Sequence, residues 1–167
     1  MSQPTVAKLA PLAVALFGYA AFLVGMAATY ARLPERMASH FDANGVANGW
    51  MSRDGYVWFM VGVGTLVSFT MLAAFGSVRY LPSALVNIPR RDYWLAPERR
   101  DETARTLMRY GLLMAGLNSL FFLAIHLMIV AANESQPVRL SNDVWWLLVA
   151  FLATTGALVF KLYRRFA

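Results

Sequence analysis

Cysteine is absent from the 167-residue chain. A disulfide scaffold, a thiol nucleophile and thiolate metal ligation are therefore excluded. Charge is also scarce: Asp, Glu, Lys and Arg make up 14% of residues, against about 25% in an average soluble domain. Histidine occurs twice. No serine sits in a nucleophile elbow. The run "GVGTLVSF" lacks the lysine of a phosphate-binding loop and lies inside an apolar block. Paired acids occur only in polar segments. No catalytic constellation emerges, so the sequence argues against an enzyme, and it implies no cofactor.

What fills the chain is apolar: 59% of residues are hydrophobic, in blocks too long for a soluble core. Residues 9–31, 56–78 and 110–133 carry no Asp, Glu, Lys or Arg, and neither do 144–160. A bilayer core of about 30 Å takes about 20 apolar residues as helix. The first three blocks meet that length. The fourth extends through Leu162, Tyr163 and Phe166 if Lys161 snorkels toward the surface. The first block exceeds the apolar core of a secretory signal, about 7–15 residues, and is read as a retained helix. The expectation is an all-α membrane protein: an antiparallel four-helix transmembrane bundle with a compact, turn-rich outer loop. Its spans lie at about 9–30, 55–78, 97–133 and 144–163 of a single membrane domain.

The formal net charge is +6. In a membrane chain this reads as the bias of basic residues toward the cytoplasm, and nucleic acid is not expected as a partner. Lys8, seven arginines at 79–109, and Lys161, Arg164 and Arg165 fall on one side; Arg32, Arg36, Arg53 and Arg139 fall on the other. That asymmetry predicts a multi-pass protein with both termini and the 79–96 loop in the cytoplasm. Residues 31–55 then face outward.

The first span holds small positions at Gly18, Ala21 and Gly25, where a neighbouring helix can approach. The outer loop carries two Asn-Gly dipeptides, Asn44-Gly45 and Asn48-Gly49. Both favour turns, so a hairpin or paired turns is expected. Trp50, Tyr56 and Trp58 stand where the chain re-enters the membrane, the level aromatic residues favour. Beyond the second span, "NIPRRDYWL" reads as an extended or turning stretch near lipid headgroups. A helix begins at Pro97, with Asp101 and Arg105 spaced to pair. It runs on into the third span. Asn142 or Asp143 is expected to cap the fourth.

Three groups of residues are candidates for function. His126 is the one ionisable residue deep in a span, and such residues are functional candidates by default. The alternative is a neutral histidine bonding across the bundle. Asn118, Asn133, Gly111 and Ala115 fall near the same helix face. The second group is "HFD" at 40–42: in a strand His40 and Asp42 would point to one side. That could begin a metal site with Glu35, Asp54 or Glu134, but a second histidine is missing, and a plain loop histidine is the commoner case. The third is the cytoplasmic motif of Asn87, Pro89, Arg91, Asp92, Tyr93 and Trp94. A basic surface there could also attract anionic lipid.

Two segments carry a resemblance. "LPERMASHFDANGVANGWMSR" resembles the short extracytoplasmic loop domain of unknown function in small bacterial inner-membrane proteins. The pattern is carried by Leu33, Pro34, His40, Phe41, Asp42, Gly45, Asn48, Gly49, Trp50, Ser52 and Arg53. "NIPRRDYWLAPE" is similar to the second-loop motif of such proteins. The same loop occurs in SdpI-type immunity proteins, which protect a producing cell from a secreted peptide toxin. The resemblance implies a ligand- or peptide-binding or immunity-signalling role for the outer loop, through His40, Phe41, Asp42, Asn44, Gly45, Asn48, Gly49 and Trp50. It brings no catalytic residue. Expected partners are the lipid bilayer, an extracytoplasmic peptide or envelope protein, and another membrane protein or a second copy of the chain. Two other readings stand beside it: a structural accessory subunit of a larger membrane complex, and a small transporter or membrane enzyme using His126 with Asn118.

Overall fold

A computed structural model describes residues 5–167. Four of its helices are long and apolar enough to cross a membrane, which fits a multi-pass membrane protein. In chain order the elements are α1 (Thr5–Thr29), a 3-10 turn (Tyr30–Arg32), β1 (Arg36–Phe41), β2 (Ala47–Ser52), α2 (Arg53–Ser77), a second 3-10 turn (Ser83–Leu85), α3 (Arg91–Trp94), α4 (Pro97–Glu134) and α5 (Asp143–Phe166).

The long helix α4 is the hub. Its 38 residues extend about 57 Å at 1.5 Å per residue, so it outruns the bilayer core. The other three spanning helices pack on it, whereas α1 and α2 barely touch each other. Contacts run in the same order along α1 and α4. Gly18 meets Gly116, Gly25 meets Leu123 and Thr29 meets His126. They run in opposite order along α2, where Tyr56 meets His126, Ser68 meets Ser119 and Phe75 meets Gly111. Along α5, Phe151 stacks on Phe121 and Arg165 reaches Glu102. At the α1–α4 crossing, a Cβ on Gly18 would lie 2.6 Å from the Gly116 carbonyl oxygen. A Cβ on Gly116 would lie 2.7 Å from that of Val14. Backbone meets backbone there, so only glycine fits at either position.

The all-α expectation needs one correction: β1 and β2 form a two-stranded antiparallel sheet. The turn of this hairpin uses Asn44-Gly45, with Gly45 at φ +78°, a region open to glycine. The sequence pattern favours a turn at Asn48-Gly49 too, but that dipeptide lies inside β2. The register shifts on both sides of His40, and a Cβ on Gly49 would come 2.7 Å from the His40 Cβ. This second glycine therefore serves close strand approach at an irregularity. After the hairpin, Ser52 caps α2 by accepting from the Gly55 N–H at 3.1 Å.

Other local expectations give way to longer-range contacts. "NIPRRDYWL" contains a helical turn, α3, docked by the Trp94 indole donating to the Phe166 carbonyl at 2.9 Å. Asp101 lies 3.6 Å from Arg79, instead of pairing with Arg105. Asn142 makes no side-chain cap; the Ser141 hydroxyl accepts from the Asp143 N–H and donates to the Asp143 carboxylate. Two buried clusters mark the ends of the molecule. One joins Phe22, Met26, Leu33, Met37, Tyr56, Met60, Ile129 and Val130 beneath the hairpin. The other joins Val78, Val86, Leu95, Leu107 and Phe166 at the opposite end.

Candidate functional site: a clamped hairpin over a buried polar node

Three elements converge at the hairpin end of the helices. His126 is fully buried on α4. Its Nε2 lies 2.7 Å from the Thr29 hydroxyl on α1, and its Nδ1 lies 2.9 Å from the Tyr56 hydroxyl on α2. Thr29 also donates to the Gly25 carbonyl at 2.9 Å, which uses its only proton. The assignment that satisfies the trio has Thr29 accept from an Nε2–H and Nδ1 accept the Tyr56 proton. With the ring in that neutral tautomer every polar atom of the trio is satisfied. The imidazole also stacks on Tyr56, with ring centroids 5.7 Å apart. These bonds tie α1, α2 and α4 at one point.

Asn118 does not join this node. It donates to Ser68, which lies beside Ser119; eight residues along the helix put it about 12 Å from His126. Asn133 performs a different task. Its side chain accepts from the Ala38 N–H at 2.8 Å and donates to the Ala38 carbonyl at 2.9 Å. One amide thus occupies the outer edge of β1, as a further strand would. The sequence placed Asn133 near the His126 face but gave no sign of this partner, 95 positions away.

The segment between α4 and α5 provides a second clamp. The Leu140 N–H donates to the Gly45 carbonyl at 2.9 Å, and Arg139 bridges to Val46. The Arg139 guanidinium donates twice to the Asn44 carbonyl, at 3.1 and 3.0 Å. A third tie is the two-pronged pair of Arg32 with Glu134, at 2.9 and 2.8 Å. It is solvent-exposed, so its contribution is small.

The predicted loop residues separate into two kinds. Asp42 turns back on its own loop, accepting from the Asn44 and Val46 N–H groups at 2.9 and 2.8 Å. Phe41 packs toward the buried cluster, and Gly45 is buried beneath Leu140. These shape the hairpin. His40, Asn48 and Trp50 stay exposed. His40 Nδ1 lies 2.6 Å from Asn48 Oδ1, and Arg36 lies over the Trp50 ring at 5.7 Å. His40 and Asp42 therefore do not converge. Glu134 is engaged by Arg32, and Asp54 accepts from the Tyr30 hydroxyl. Among the described residues no group of three or more His, Asp or Glu is placed to hold a metal ion.

At the opposite end the second motif is also divided. Asn87, Arg91, Asp92 and Tyr93 are exposed and Pro89 is half-buried. Arg91 and Asp92 lie 3.4 Å apart. Tyr93 is flanked by Arg90 and Arg99, at 5.0 and 4.0 Å from its ring. Trp94 is structural, stacking edge-on against Phe166 and bonding its carbonyl.

No curated protein and no solved structure matches this chain. Residues 13–65, which hold most of α1, the whole hairpin and the first half of α2, match the family described as Domain of unknown function (DUF1648). The hairpin and the two helices that carry it are thus similar to that domain.

Proposed function

We propose that this protein is a non-enzymatic recognition protein of the bacterial inner membrane, whose hairpin binds an extracytoplasmic peptide or envelope protein. In this reading the four spans form an antiparallel bundle with both termini in the cytoplasm. An immunity-signalling role of the SdpI type is its sharper form. The supporting observation is the clamped hairpin. Asn133 holds one strand edge, and Leu140 and Arg139 hold the turn, while Arg36, His40, Val46, Asn48 and Trp50 face outward. A pre-shaped surface loses little conformational entropy on binding. A buried aromatic or arginine contact is the usual energetic centre of an interface, which Trp50 and Arg36 can supply. Asn133 gives a bound ligand a mechanical route to α4, and His126 links α4 to α1 and α2.

The test is a photo-crosslinking residue at position 50 in live cells, with position 85 as control. The expected result is one discrete protein or peptide adduct from position 50, weakened by Arg36→Ala and His40→Ala. Lipid adducts alone from position 50 would refute the reading. A reporter fused after Ala167 should be active only in the cytoplasm.

A second reading, an accessory subunit of a membrane complex, rests on α5. That helix packs on α4 and leaves Trp145, Trp146, Val149, Leu152 and Phe160 exposed. A stoichiometric partner co-purifying in mild detergent would favour it. A transporter or membrane enzyme would need water at His126, which is fully enclosed with both ring nitrogens engaged.

A further inference from the structure

The arginines at the end opposite the hairpin are not equivalent. Arg79 lies near Asp101, Arg91 near Asp92 and Arg165 near Glu102. Arg100 donates to the carbonyls of Val78 and Leu81 and to the Ser83 hydroxyl. Arg90 and Arg99 cover Tyr93, and Arg164 covers Phe160. Arg105 and Arg109 remain. Among the described residues neither guanidinium has a hydrogen-bond, ion-pair or aromatic partner. They lie one turn apart on α4, on the same helix face.

Both line a cavity of about 300 Å³ between α4 and α5, with Glu102, Thr106, Tyr110 and Arg165. Among the described residues the hydroxyls of Thr106 and Tyr110 are also without partners. The lining carries three arginines against one carboxylate, and that carboxylate is held by Arg165 at 3.1 Å. The cavity therefore offers several donors, and its one carboxylate is already engaged. Its depth is equally specific. Arg109 is the last charged residue before the uncharged run 110–133, so the cavity sits where the apolar surface begins. That is the level of lipid phosphates. An ordinary excess of basic residues explains the number of arginines, but not a concave group of unpaired donors at this depth.

We infer that Arg105, Arg109, Thr106 and Tyr110 form a phosphate site for the headgroup of an anionic phospholipid, whose acyl chains lie along the α4–α5 surface. Arginine suits the task because its planar fork binds two phosphate oxygens at once. The ligand phosphate could come from a lipid or from a free anion. The position at the start of the apolar run favours the lipid.

The test uses the full chain in a non-ionic detergent, with bound lipid counted by native mass spectrometry. The probes are phosphatidylglycerol, phosphatidylcholine and inorganic phosphate. Wild-type protein should bind phosphatidylglycerol about tenfold more tightly than phosphatidylcholine. Arg105→Gln with Arg109→Gln should lose about tenfold or more, since it removes the charge-assisted hydrogen bonds to the phosphate. Arg99→Gln with Arg164→Gln removes the same charge elsewhere and should change binding less than twofold. Equal losses in the two double variants would mean a diffuse basic surface and overturn the site. Displacement of phosphatidylglycerol by millimolar phosphate would overturn the lipid assignment in favour of a free anion. If the glutamine pair lowers helicity, the Arg105→Lys, Arg109→Lys pair decides. That pair keeps both charges but loses the fork, so phosphatidylglycerol binding weakened about threefold or more supports the site, and binding equal to wild type, as a diffuse basic surface gives, refutes it.

Discussion

Tyr56→Phe removes a single oxygen from the buried node, and the size of its effect follows from what remains. The His126 Nδ1, which accepts that hydroxyl at 2.9 Å, is left without a donor in a fully buried position. Phenylalanine keeps the ring and its stacking with the imidazole, so little packing is lost. An unsatisfied buried acceptor costs about 1–3 kcal/mol in water-soluble proteins. Between membrane helices, measured hydrogen-bond couplings average about 0.6 kcal/mol with a maximum near 1.7. Here the donor is held by stacking and the acceptor by a second bond to Thr29, so about 1–1.5 kcal/mol is expected. The assay is reversible unfolding in mixed micelles as the fraction of denaturing detergent rises. A cycle of Tyr56→Phe, His126→Leu and the double variant isolates the bond, which should appear as a coupling of about 1 kcal/mol. The double variant should then be destabilised by less than the sum of the two single changes. Purely additive effects, within about 0.3 kcal/mol, would refute the idea that these side chains act as a pair. An NMR assignment of the ring proton to Nδ1 would instead refute the direction of the bond, with Tyr56 as its donor.

Asn133→Ala should release the Ala38 N–H and carbonyl together. Hydrogen exchange at Ala38 is expected to rise about tenfold or more, with protection around Met114 unchanged, because the loss is confined to the β1 edge. Gly116→Val should destabilise the protein by more than about 2 kcal/mol, or block folding. Its side chain would meet the Val14 carbonyl, and backbone cannot yield as a side chain does; Gly156→Ala, where a Cβ meets no atom within 4 Å, should be near neutral in the same unfolding assay. Asp42→Ala removes the acceptor for two turn N–H groups. Stability should fall by about 1 kcal/mol, and turn amide exchange should quicken, while Asp42→Asn retains most of the stability.

The four spans were legible because each rests on a one-dimensional property, the length of an uncharged run set against bilayer thickness. The hairpin was half-legible. Asn44-Gly45 announced its turn, yet the identical dipeptide at Asn48-Gly49 does not turn, since what Gly49 answers to is the His40 Cβ across the strand. The functional reading of "HFD" mixed two kinds of residue. Side-chain identity alone does not separate Asp42, which folds back on its own amides, from His40, which stays exposed. Local spacing also suggested Asp101 with Arg105, where a partner from another helix, Arg79, stands instead.

Sequence alone determined that this chain is a multi-pass membrane protein, because hydropathy and length are additive along the chain and need no neighbours. It also marked His126 as exceptional. Only the tertiary structure decided what His126 does: it pairs with Thr29 and Tyr56, 97 and 70 residues distant. The same holds for the edge of β1, occupied by Asn133, and for Arg105 and Arg109, which line a cavity and have no partner among the described residues. A polar side chain in lipid must find a partner somewhere, but which partner depends on how the helices pack, and packing is a property of surfaces brought together in space.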